Sequence, residues 1–194
     1  MRVTVMVKIK KANLAKRAAS KIAPRIVRRF MRRKDGAAAV EFAMVAAPFL
    51  ALVFAIIETA LVFFAGQVLE TAAADSARLV MTGQAQKQGL NQTQFKQSVC
   101  SKVFGLFDCD GGVKVDVRTY SSFSDANMNK PIDANGNLIN NFTYQPGGPG
   151  DIVVVRLLYE WPVYVSLLGL NLSDMAGNKR LIMATSAFRN EPFQ

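Results

Sequence analysis

A chain of 194 residues has room for one ordinary domain, or for a smaller domain with appendages. Its formal net charge of +10 is lopsided: thirteen Lys and Arg stand against Asp35 alone up to Gly36, a net of +12, so everything after Gly36 sums to −2. The basic tract lacks interleaved aromatics and any zinc-finger or RNP pattern, which argues against nucleic acid as a partner, and the absence of histidine excludes Ser-His-Asp, Cys-His and HExxH chemistry within the chain.

Residues 1–36 form a basic leader lying directly against an apolar segment, the pattern of an orientation signal held in the cytoplasm at a membrane surface. From Ala37 to Ala65 the only ionisable residues are Glu41 and Glu58. About 20 apolar residues suffice to span a bilayer at ~1.5 Å rise each, so residues 37–66 are a transmembrane candidate, and Pro48 predicts a kink without excluding a helix. A core helix of a soluble domain is normally shorter. A cleaved signal peptide has an apolar region of only about 7–15 residues.

A carboxylate in lipid is expensive, about 2.5–3.5 kcal/mol for Asp at mid-membrane on insertion scales, so Glu41 calls for a partner. Hydrolysis after Gly36 would supply one. Ala37 would then carry a free amine one helical turn from Glu41, in i to i+4 register. Glycine suits a cut site because it leaves the backbone accessible.

Beyond the span, Ala65, Val68, Leu69, Ala72, Ala73, Ser76, Leu79, Val80 and Gly83 recur at three and four, predicting an amphipathic stem helix over residues 67–90 that docks on a globular domain. The remaining residues, 91–194, are expected to form that domain. A second helix starts at Asn91 or Thr93, with Phe95, Val99, Val103 and Phe107 at fours. Val113, Val115 and Val117 alternate with Lys114, Asp116 and Arg118, the mark of a half-buried strand. Residues 121–150 are rich in Asn, Ser and Gly and read as a loop or irregular hairpin. Ile152 to Leu158 is a central strand candidate. Trp161-Pro162 is expected to interrupt it, with Val163 to Val165 resuming at an edge, and Arg180 to Phe188 supplies the last strand. The fold expected is α+β, a long N-terminal transmembrane and stem helix packed on a small antiparallel sheet.

Cys100 and Cys109 are the only cysteines. In an oxidising compartment they suit a disulfide, with two free buried thiols as the alternative; a metal site would need carboxylates or a second chain to complete its ligands. The "DANGN" of residues 133–137 resembles the start of a calcium loop but lacks the bidentate Glu, with Tyr144 at that position, and reads as a turn. No metal, cofactor or catalytic residue is expected, and no enzymatic role.

Gly36, the small or apolar residues Ala37 to Val40, then Glu41-Phe42 and a long apolar run resemble the processing site of type IV prepilins. The longer string GAAAVEFAMVAAPFLALVFAIIET, followed by VLETAAADSARLV and closing on ATSAFRNEPF, is similar to the TadE-like proteins of tight-adherence (Tad/Flp) pilus systems. The resemblance covers residues 36 to about 83 and, more loosely, the last dozen. A leader of 36 residues is long for a prepilin.

This resemblance implies a pilin-like fold and a pseudopilin in the bacterial inner membrane, with its C-terminal domain periplasmic, available for incorporation in a pilus. It implies cleavage between Gly36 and Ala37 by a prepilin peptidase, an assembly role for Glu41 and Phe42, and Glu58 as a second intramembrane acid. The partners it implies are the peptidase, other pilin and pseudopilin subunits, the inner-membrane pilus platform and membrane lipid. The competing expectation is an uncleaved, single-pass anchor carrying a periplasmic binding or adhesion module.

Overall fold

The computed structural model describes residues 34–103, 105–109, 111–164 and 171–193. The leader up to residue 33, and Val165 of the expected edge segment, lie outside the described residues. The chain divides into two compact units, residues 1–52 and 53–194.

Helix α1 runs from Lys34 to Met81, 48 residues with Pro48 inside it. It begins before Ala37, the expected start, so Gly36 is itself helical. Proline has no N–H, so the carbonyl of Met44, four residues earlier, loses its helical donor, yet the helix continues on both sides. In the first unit the described residues are the helix alone. Its large apolar side chains are exposed, Phe42 by 74%, Met44 by 72% and Phe49 by 61%.

In the second unit one stripe of α1 is buried: Ala55, Glu58, Val62, Ala65, Leu69, Ala72, Ser76 and Val80, spaced by three and four. Alanine dominates this stripe, and its small side chain lets the helix lie close to whatever it packs against. The helix ends at Met81, short of the residue 90 expected for the stem. Gly83 stops it in the left-handed region at φ 74°, its N–H bonded to the carbonyl of Val80 at 3.0 Å. A short helix α2, Gln84–Lys87, follows.

Helix α3 spans Gln92–Cys100. Asn91 caps it: its side chain accepts from the Gln94 N–H at 2.9 Å, and the Gln94 side chain accepts from the Asn91 N–H at 3.0 Å. Three strands follow, β1 (Lys114–Tyr120), β2 (Ile152–Pro162) and β3 (Lys179–Arg189), forming an antiparallel sheet in the order β1-β2-β3. Val117 lies opposite Val155, and Val155 opposite Ser186.

One face of the sheet carries Val115, Val117, Val153, Val155, Leu157, Ile182 and Ala184, in the same buried cluster as Leu69, Ala72 and Val80 of α1 and Phe95 and Val99 of α3. The alternating pattern of β1 predicts a wet opposite face. That face is covered instead. Leu158 and Leu181 form a second, smaller core with Leu138 and Met175, flanked by Ile132 and Phe142 from the segment between β1 and β2. Asp116 on this face is fully buried.

Trp161-Pro162 does not interrupt β2. Trp161 pairs with Arg180 and Pro162 with Lys179. Pairing with β1 ends at Leu158, so the last residues of β2 are hydrogen-bonded on one side only, and a proline there leaves no central ladder position unfilled. The "DANGN" segment is an Asx turn: Asp133 Oδ1 accepts from the N–H groups of Asn135 and Asn137, beside the bridge of Ile132 with Leu138.

Candidate functional site

The residues singled out at the start of the apolar run lie within about two helical turns. Gly36, Ala37, Glu41 and Phe42 all belong to α1. The side chains of Ala37, Glu41 and Phe42 are exposed, and Gly36 is half-buried. Ala37 and Glu41 keep the i to i+4 register that brings the two positions together on one face. The Gly36–Ala37 bond is not in an open loop. It sits in the first described turn, where glycine costs a helix about 1 kcal/mol relative to alanine and so favours local opening.

Among the described residues, α1 is the one helix long and apolar enough to cross a membrane, and almost none of its most apolar stretch is buried. Val40, Val45, Leu50, Leu52 and Phe54 are exposed, as are Phe42, Met44 and Phe49. A helix apolar on all sides needs lipid or other apolar helices around it.

Glu58 has a different setting from Glu41. Only 7% exposed, it lies on the buried stripe, and its Oε1 accepts a hydrogen bond of 2.5 Å from the backbone N–H of Tyr164, just past the end of β2. Its carboxylate therefore fixes the chain leaving the sheet to the side of α1. The periodicity that identifies Ala65, Leu69 and Val80 as a buried stripe reaches Glu58 when extended back through Val62.

Cys100 and Cys109 form a disulfide with Cα atoms 5.7 Å apart. It closes the end of α3 onto the approach to β1 and seats Phe107 edge-on against Tyr159, ring centroids 4.8 Å apart, with Trp161 at 6.0 Å. The far end of the chain docks on α1. The Glu191 N–H donates to the carbonyl of Met81 at 2.9 Å, and the Phe193 ring covers Gly83 so closely that a Cβ built there would lie 2.2 Å from it. The closing residues of the chain thus cap the helix whose opening carries the candidate processing site.

Among the described residues no group of three or more Cys, Asp or Glu is placed to hold a metal ion. No curated protein and no solved structure matches the chain. Residues 36–78, the stretch from the Gly36–Ala37 bond into the buried stripe of α1 as far as Arg78, match the family model of the TadE-like proteins.

Proposed function

We propose that this chain is a membrane-anchored structural subunit of a Tad-type pilus, a pseudopilin, stored in the inner membrane with its basic leader in the cytoplasm and its sheet domain on the periplasmic side. The observation that carries the proposal is the change of character along α1. Up to Phe54 its large apolar side chains are exposed, whereas beyond Ala55 one stripe is committed to the domain. The first part suits lipid before assembly and neighbouring apolar helices after it. The TadE-like match over residues 36–78 supports the same assignment.

In this proposal a prepilin peptidase cuts after Gly36, and the amine freed at Ala37 pairs with Glu41. The pair would let both charges enter an apolar bundle, where one member left alone costs about 3–5 kcal/mol. Glu41→Ala should then insert in the membrane as well as the native chain, since it removes a charge costly to bury, and should be lost from assembled pili. Pili that incorporate Glu41→Ala normally would remove the assembly role.

The helical setting of the Gly36–Ala37 bond favours a second reading. A bond held in a helix presents its backbone poorly to a peptidase, as in a permanent anchor whose periplasmic domain binds a ligand.

A further inference from the structure

The face of the sheet turned away from α1 carries a buried charge arrangement that does not balance. Asp116 on β1 lies directly opposite Arg156 on β2, with Arg118 two residues along on the same face. The single carboxylate accepts from both guanidinium groups: Arg118 Nε approaches both oxygens at 3.0 Å, and Arg156 Nε approaches Oδ2 at 3.0 Å, with Arg156 Nη2 also donating to it. The Thr143 N–H adds a further bond at 2.9 Å. Asp116 is thus saturated, while two fixed positive charges share one negative. Arg156 is 7% exposed, so its charge is barely screened by water.

These arginines line a cleft of about 210 Å³ between the sheet and the segment that follows β1. Lys130 at its edge does not alter the balance, because it is paired with Asp174. The backbone carbonyl of Asn127 holds Arg156 Nη1 at 3.3 Å, and Asn141 holds Arg118 Nη2, leaving Arg118 Nη1 without a partner among the described residues. The rest of the lining mixes amides with apolar surface: Asn129 and Asn141 beside Ile139 and Phe142.

The geometry points to a binding site for a carboxylated sugar unit, its carboxylate neutralising the surplus charge of Arg118 and Arg156. Guanidinium groups match a carboxylate in planar, two-pronged fashion, and a carboxylate brings the single negative charge the cluster lacks. Asparagine amides both donate to and accept from sugar hydroxyls, and Ile139 and Phe142 offer an apolar wall to the C–H face of a ring. The cleft is of monosaccharide size. The site stands independently of the cleavage and assembly proposed above.

The test is isothermal titration calorimetry of the full chain in lipid nanodiscs with sodium glucuronate, glucose and inorganic phosphate as separate probes. Glucuronate should bind saturably at one site per chain, with glucose and phosphate each at least tenfold weaker. Arg118→Gln should weaken glucuronate at least tenfold. So should Asn129→Asp, which places a carboxylate on an exposed part of the cleft without disturbing the buried cluster, whereas Lys87→Gln on α2, outside the cleft, should leave it unchanged. No glucuronate binding, glucose binding as tightly as glucuronate, or equal losses from Asn129→Asp and Lys87→Gln would each overturn the site. Phosphate binding as tightly as glucuronate would overturn its assignment to a sugar acid.

Discussion

The carboxylate of Glu58 on α1 accepts a 2.5 Å hydrogen bond from the backbone N–H of Tyr164, 106 residues further along the chain. An acid in an apolar run would ordinarily be costly in a membrane, but here the protein itself encloses it. Glu58→Leu should leave the Tyr164 N–H without this acceptor and cost about 1–3 kcal/mol of domain stability, while Glu58→Gln, whose amide oxygen still accepts, should cost less. Urea titration of the full chain in detergent distinguishes the two; equal losses would mean that the bond contributes nothing beyond packing.

Gly83 combines two requirements that can be separated. Its φ of 74° disfavours any side chain, at about 1–3 kcal/mol for a non-glycine residue, and the Phe193 ring occupies the space a Cβ would need. Gly83→Ala should therefore destabilise by more than the backbone term alone. Adding Phe193→Leu, whose smaller side chain relieves the clash, should recover part of the loss and leave the rest. A double-mutant cycle by thermal denaturation measures the split, and strict additivity would show that the ring does not sense position 83.

Cys100→Ser should cost about 3 kcal/mol on the loop-entropy account of a bridge closing so short a segment. The loss should also loosen Phe107 from Tyr159 and Trp161. Near-ultraviolet circular dichroism follows the aromatic cluster, and mass analysis after alkylation reports the bridge in native protein. Two alkylated cysteines in chain extracted without reductant would count against oxidation in the native compartment.

The parts of this fold visible in the sequence are those with a period or an unbroken run. The stripe through Ala65, Leu69, Ala72 and Val80 and the alternating valines of β1 announce themselves by spacing, and the first part of α1 and β2 by continuous apolar stretches. Scattered apolar residues leave no such mark. Ile132, Leu138 and Phe142 are scattered through an Asn- and Gly-rich segment, so nothing marks them as a cover for the second face of the sheet, and Asp116 in an alternating strand reads as solvated when it is buried. Glycine and charge suggest a boundary at Gly36, whereas the helix runs on through it. Trp161-Pro162 looked like a break because sequence does not say that β1 has already ended beside them.

Acid should weaken the tie between that cover and β3. Burial alone raises the pKa of Asp174, but the hydrogen bond from Lys130, the Leu181 N–H and the nearby charges of Lys130 and Arg180 outweigh it and hold the carboxyl below its ordinary 3.8. A folded pKa below the unfolded one means that the stabilisation is present above about pH 3.8 and is lost as pH falls through the lower folded value. The melting temperature of Asp174→Asn should lie below that of the native chain at about pH 5 and converge with it toward about pH 2. A gap that stays constant over that range would remove Asp174 as the source.

The most direct measurement is the mass and N-terminal sequence of the chain extracted from the membranes of pilus-assembling cells that express a prepilin peptidase. The account predicts a mature chain beginning at Ala37, and a leader that persists when Gly36 is replaced by a bulky residue. An intact leader on the native chain in cells that carry assembled pili would contradict it.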